Sequence, residues 1–200
     1  EVRSLFIRPG VIEGFSGPMA SGRSEYLLKR VDPLRWISGA RYIGFKPKLD
    51  SREEHCRSGR NFVEWIYVSE KEPEKILEYV GVEHDIVLIE EIQFFNKAIV
   101  EVVLELQRRM KNVVFAGLDS DFRGEPFGEM KELMFRANEL TKLYAICPVC
   151  GDKAYYTQRL ANGEPAHYDS PIISVDGSVD NERYEPRCFR HHSVPGKRVV

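Results

Sequence analysis

Apolar positions in this chain gather into short runs separated by amphipathic stretches, and the two kinds of segment alternate from residue 11 to about residue 143. VIEGFS at 11–16 predicts a short strand, and in EYLLKRV the spacing of Leu27, Leu28 and Val31 predicts a helix with one buried face. A further strand is expected in ARYIGFK at 40–46, a helix in EPEKILEYV at 72–80, and a nearly continuous apolar strand in DIVLIEE at 85–91, which ends in two acids. KAIVEVVLELQRRM at 97–110 carries the strongest helical period, and NVVFAGLD at 112–119 is another apolar strand. Strands that are apolar throughout are those covered on both faces. The pattern therefore predicts an α/β domain, a mostly parallel sheet flanked by helices, over residues 1–143.

After Tyr144 the pattern changes. Gly, Pro and Asn punctuate short β-like runs and no long helix fits, so residues 144–200 are expected to form a second, smaller domain. A segment this short buries little core of its own, which makes a stapling metal physically useful.

Composition narrows the class. The 200 residues hold 29 basic and 31 acidic side chains, with 11 prolines and 15 glycines and no internal repeat, which excludes collagen-like, coiled-coil and disordered readings. That balance gives no whole-chain electrostatic footprint for nucleic acid. No apolar run approaches the roughly 20 residues of a bilayer span, and the start, EVRSLFIRPG, has too short an apolar run for a signal peptide. The expectation is a soluble cytoplasmic protein with no membrane partner; the first residue is Glu1, which leaves room for an upstream segment.

The octet Gly17, Pro18, Met19, Ala20, Ser21, Gly22, Arg23, Ser24 follows the first strand and opens the first helix, and it fits the phosphate-loop pattern except for Arg23 in the lysine position. Such glycines let loop amides point at phosphate oxygens, the helix N-terminus adds positive potential, and Ser24 is placed to hold Mg²⁺. Arg23 keeps the charge but replaces a compact ammonium with a planar fork. The second part of a phosphate site is an acid at the end of an apolar strand. Glu90 is the candidate to act through magnesium, and Glu91 the candidate general base.

Cys147 and Cys150 form one C-x-x-C clip, while Cys188 and His191 form a C-x-x-H clip, with His192 as the alternative histidine. Two chelating clips of this kind suit tetrahedral structural zinc. Cys56, alone among charged residues, carries no assignment.

Taken in order, the phosphate loop, EEIQFF, GLDSDFRGEPFG and the two clips closely resemble the type II thymidine kinases, from about Val11 to Gly196. The resemblance implies transfer of the ATP γ-phosphate to the 5′-hydroxyl of thymidine or deoxyuridine with Mg²⁺. It also implies a homotetramer of a P-loop domain plus a zinc-bearing lasso domain. By matching position, Asp50 and Arg52 resemble the family's D-x-R element beside the phosphates, with Arg23 and Arg52 offsetting charge on the transferring group. Glu91 resembles the catalytic base, and Glu90 stands where the family has aspartate. Met19, Phe94, Leu118 and Phe122 resemble the wall of the thymine pocket, Tyr184 the lasso tyrosine over the nucleoside, and the backbone of Ile172, Ile173, Ser174, Val175, Asp176 and Gly177 the part that bonds the base.

The chain departs from that pattern at Arg23, Glu90, Ala20, the HCRSG segment at 55–59 and SVDGSVDNERY. Arg23 and Glu90 together motivate a second reading, a catalytically weak or inactive homologue acting in assembly or partner binding. A third reading, a zinc-ribbon nucleic-acid binder, draws on Arg183, Arg187, Arg190, Lys197 and Arg198. It leaves the phosphate loop unexplained.

Overall fold

A computed structural model describes residues 7–36, 41–50, 63–173 and 182–197. Eleven strands fall within these residues: β1 (Ile12–Ser16), β2 (Tyr42–Pro47), β3 (Trp65–Val68), β4 (Ile86–Ile89), β5 (Asn112–Gly117), β6 (Glu139–Lys142), β7 (Ala145–Ile146), β8 (Lys153–Ala154), β9 (Tyr156–Ala161), β10 (Glu164–Pro165) and β11 (Glu182–Arg187). The helices are α1 (Arg23–Val31), α2 (Ile76–Tyr79), α3 (Ala98–Arg108) and α4 (Met130–Arg136). Strands β1 to β6 make one sheet in the order β3-β2-β4-β5-β1-β6, and each neighbouring pair is parallel.

Alternation along the strands feeds two cores. Val87 and Ile89 of β4 join Val113 and Phe115 of β5 under α3, whose Ile99, Val102, Val103 and Leu106 form its buried stripe. Ile86 and Leu88, with Val114 and Ala116, face the other way onto Leu27, Leu28 and Val31 of α1. The sheet is thus covered on both faces, and the C-terminal ends of its strands carry the candidate chemistry.

The helix expected at 72–80 is a 3₁₀ turn, Pro73–Lys75, followed by the single turn α2. Val80 leaves it extended, and the Gly81–His84 turn that follows is pinned by the Lys111 ammonium, which donates to the carbonyls of Gly81 at 2.8 Å and His84 at 2.7 Å. Strands β3 and β6 and helix α4 lie outside the elements that periodicity predicts. β6 reads ELTK and is exposed throughout; its pairing with β1 gives it strand form without an apolar run.

Past Leu143 lie a two-stranded sheet, β7-β8, and a three-stranded antiparallel sheet, β10-β9-β11. Their region has its own small buried cluster, Ala145, Cys147, Ala154 and Cys188. Among the described residues no helix is long and apolar enough to cross a membrane.

Candidate active site and metal centre

The loop from Gly17 to Gly22 joins β1 to α1, with Gly22 in a left-handed conformation (φ 82°) and Ala20, unusually for a residue with a side chain, also left-handed (φ 60°). Ser21 Oγ donates to the Pro18 carbonyl at 2.8 Å, and the Met19 amide donates to Thr157 Oγ1 at 3.1 Å, which ties the loop to β9. Arg23 is buried rather than extended into solvent. Its guanidinium donates to the Gly17 carbonyl at 2.9 Å and to the Pro18 carbonyl, and its other nitrogen lies 3.6 Å from Glu91 Oε1. The planar fork that sets arginine apart from lysine is what reaches loop and acid together.

Glu90 and Glu91 follow β4 directly and have opposite surroundings. Glu90 is buried, and its Oε2 lies 2.7 Å from the ammonium of Lys46 on β2, which itself sits 4.7 Å over the Trp65 ring. Glu91 is partly open and held in the left-handed region (φ 49°), a strained state for a glutamate that redirects the chain into the 3₁₀ turn Ile92–Phe94. Gln93 Nε2 donates to Glu91 Oε2 at 2.6 Å, while Gln93 Oε1 accepts from the Leu118 amide at 3.1 Å, so one side chain links the acid to the end of β5. Gly128 (φ 51°) lets the chain pass against Gln93, where a Cβ would overlap the Gln93 carbonyl.

The expected apolar wall is only partly drawn together. Leu118 and Phe122 are buried, and Phe94 packs edge-on against Phe127 with centroids 5.4 Å apart. Two guanidinium groups, those of Arg123 and Arg159, each lie 5.4 Å from the Phe122 ring. The turn it occupies is shaped by Asp121, whose carboxylate accepts the amides of Arg123 at 2.9 Å and Glu125 at 3.1 Å. Burial pushes the Asp121 carboxyl above its ordinary range, against the pull of those amides. Tyr184 sits on β11 opposite Arg159 and donates to Glu182 Oε1 at 3.1 Å; Ile172 and Ile173 are exposed at the edge of the described chain. Asp50 closes the 3₁₀ turn Lys48–Asp50 after β2. Arg52, Ser174, Val175, Asp176 and Gly177 lie outside the described residues, as do Cys56, the HCRSG segment and Arg198.

The clips converge. Ligand atoms of Cys147, Cys150, Cys188 and His191 all lie within 4.8 Å of one another: Cys188 Sγ is 3.2 Å and Cys147 Sγ 3.8 Å from His191 Nδ1, and Cys150 Sγ is 3.6 Å from Cys188 Sγ. Three sulfurs and one imidazole nitrogen at such spacing fit tetrahedral zinc. Burial raises the Cys147 thiol, but amides of Cys188, Val149 and Cys150 overcome it and hold the group down at about 6; the neighbouring Cys150 goes the other way, to about 11, because the pull of the Asp152 amide is outweighed by burial and by hydrogen bonds with Cys188 and Cys147. His192 is not the ligand. Its ring turns away from the cluster, with Nε2 2.8 Å from the Phe122 carbonyl.

Four of the five basic residues that motivated a nucleic-acid reading are engaged. Arg183 and Arg187 pair with Glu185, Arg190 with Asp152, and Lys197 donates to the Arg123 carbonyl. Sequence reasoning missed Lys46, Gln93 and Thr157. Gln93 stands inside the EEIQFF motif and so carried a signal; the other two have none without the sheet order.

The thymidine kinase family model matches residues 10–192. The thymidine kinase of Coprothermobacter proteolyticus is 43% identical over 98% of this chain and 97% of its own length. Among solved structures, the flagellar accessory protein FlaH from Methanocaldococcus jannaschii superposes with a TM-score of 0.48 at 12% identity, covering 94% of this chain and 92% of its own. Domain III of the replication initiation protein DnaA from Thermotoga maritima gives 0.41 at 16% identity, over 66% and 54%.

Proposed function

The chain belongs to the thymidine kinase family, and on that premise we propose that Glu91 is the general base that lets ATP phosphorylate the 5′-hydroxyl of thymidine or deoxyuridine. In this reading the Glu91 carboxylate takes the hydroxyl proton as the substrate oxygen bonds to the γ-phosphorus. The bond from that phosphorus to the β–γ bridging oxygen breaks, and ADP leaves. The observation that carries it is the setting of Glu91: a strained backbone after β4, a 2.6 Å bond from Gln93 and a 3.6 Å approach of Arg23. An acceptor oriented by a neutral amide keeps its charge available for a proton. Arg23, freed from the loop carbonyls by arriving phosphate, and Arg52 would offset charge on the transferring group.

Ser24 and Glu90 would hold Mg²⁺. A hydroxyl oxygen and a carboxylate that keeps one oxygen beyond the Lys46 pair are the hard-oxygen donors this ion takes, and it would neutralise charge on the phosphates. Asp50 would stand beside them. Met19, Phe94, Leu118 and Phe122 would wall the base, with Tyr184 and the segment 172–177 closing over it. We assign residues 1–143 to the nucleotide domain and 144–200 to the zinc-bearing lasso, in a cytoplasmic homotetramer.

Glu91→Gln tests the reading, since it keeps the shape and the approach of Arg23. Turnover is expected to fall by about 10²- to 10⁴-fold while ATP binding, followed by calorimetry, stays within about twofold. Unchanged turnover would remove Glu91 from the role.

A further inference from the structure

The Phe122 turn has open space on one side. A cavity of about 400 Å³ opens on one side of it, lined in part by Ser120, Gly124 and Pro126 of the turn and by Tyr156 of β9. Phe122 itself is buried, so its turn, open toward the cavity, is held by packing on the other side together with polar ties.

Those ties come from the residues that follow the zinc clip. His191 turns its Nδ1 into the cysteine cluster, and the next residue, His192, turns its ring the opposite way. Because the partner at 2.8 Å is the Phe122 carbonyl, which can only accept, His192 Nε2 carries the proton and donates it. The His192 ring stacks on Tyr156 at 4.7 Å and 17°, and a Cβ at Gly124 would come within 3.5 Å of both rings, so the turn rests directly on the stacked pair. Ser193 and Gln158 exchange two bonds of 2.9 Å, which locks the chain beyond the clip to β9. Lys197 donates to the Arg123 carbonyl.

We infer that His192 is a positioning residue for nucleoside recognition: it transmits the fixed geometry of the metal clip to Phe122 through the Phe122 carbonyl. The inference rests on the reading of Phe122 as part of the nucleoside wall. His191 and His192 are neighbours with separate tasks. One holds the metal, and the other uses the anchorage this gives to hold a substrate-facing turn. The route meets the loop after β1 at Thr157, whose backbone bonds His192 while its hydroxyl takes the single Met19 amide; the other ties all run to the Phe122 turn, so the effect is expected on nucleoside more than on ATP.

His192→Phe keeps a flat ring for the stack on Tyr156 and removes both ring nitrogens, the Nε2 donor to Phe122 and the bond to the Thr157 backbone; His192→Asn restores an N–H. Two readouts are needed on zinc-loaded protein of verified metal content. The first is amide exchange across residues 120–127, expected to speed by roughly tenfold in His192→Phe, the scale of one lost hydrogen bond, with β4 and β5 unchanged. The second is the thymidine KM, expected to rise by roughly the same factor with kcat and the ATP KM within about twofold, and to recover in part in His192→Asn. Unchanged exchange overturns the latch itself. Faster exchange with an unchanged thymidine KM overturns instead the placement of Phe122 in the nucleoside wall. Equal rises in both KM values would mean general loosening and also sink the inference. Should His192→Phe not fold, His192→Gln and the exchange measurement carry the same decision.

Discussion

The tip of β4 and the Phe122 turn sit at the same end of the sheet and are organised by opposite means. At the β4 tip every candidate group is charged and partnered: Lys46 with Glu90, Arg23 with Glu91. At the turn the charged groups meet backbone or a ring rather than an opposite charge: Asp121 takes amides, His192 and Lys197 donate to carbonyls, and Arg159 and Arg123 lie over a ring. A charged pair in a buried place is costly to break and holds potential where bonds must change. Hydrogen bonds to a carbonyl instead hold position, which is what recognising a flat neutral base requires. The contrast separates residues whose loss should slow chemistry from those whose loss should blur recognition.

Metal removal is the largest way to break it. Cys147→Ser should strip zinc, whose binding in small zinc peptides is worth about 10–16 kcal/mol. Because the region beyond Tyr144 has only a small buried cluster, β9 and β11 should then exchange their amides freely while β4 and β5 stay protected. Metal analysis with exchange mapping checks this, and protection retained in a zinc-free protein would contradict it. Next in size are the two adjacent acids. Glu91→Gln should lose about 10²- to 10⁴-fold in kcat with little change in unfolding midpoint, whereas Glu90→Gln should lower the midpoint, because it leaves the Lys46 ammonium buried beside a neutral amide. Identical profiles for the two would erase the distinction. Lys46→Met is expected to destabilise by about 3–5 kcal/mol in denaturant unfolding, and Lys46→Met combined with Glu90→Met should recover most of it. A double variant no better than the single would mean that the pair is not the reason.

The smallest effect sharpens the comparison from outside both regions. Glu13 on β1 is buried, which raises its carboxyl; Arg30, Asn112 and Arg8 outweigh that and hold it below its ordinary 4.5. Its contribution is therefore complete above that value. It drains away as pH falls through the lower folded value, since the unfolded chain takes up the proton first. Unfolding midpoints measured down an acid series should fall less steeply in Glu13→Gln than in the parent protein. Equal slopes would locate the acid sensitivity elsewhere.

What the sequence disclosed follows from range. The phosphate loop, the acids of DIVLIEE and the clips are local patterns, with every spacing set by a few residues, and the structure assembles them as elements or clusters. The buried strand β4 and most of β5 were legible because being covered on both faces makes a strand nearly apolar throughout. Lys46 was not, since its role exists only because β2 lies next to β4. Nor was the setting of His192: one more residue of spacing after Cys188 would also serve a clip, and its actual partner is a carbonyl 70 residues away. β6 escaped because an edge strand needs little apolar surface, and it has none buried; β3, WIYV, is apolar but only four residues long, too short to show a period.

The position of β1 has a consequence for the order in which the protein takes shape. The strand is made early in synthesis, yet it lies between β5 and β6, so its neighbours are residues 113–117 and 139–142. Until those emerge, β1 has no ladder on either side, and the phosphate loop that hangs from its end cannot be held in form. Closing such distant pairings is slow, because the chain entropy is spent before the contacts return it. A nascent chain stalled before residue 112 would therefore carry residues 17–24 whole and still be unable to hold that loop in form.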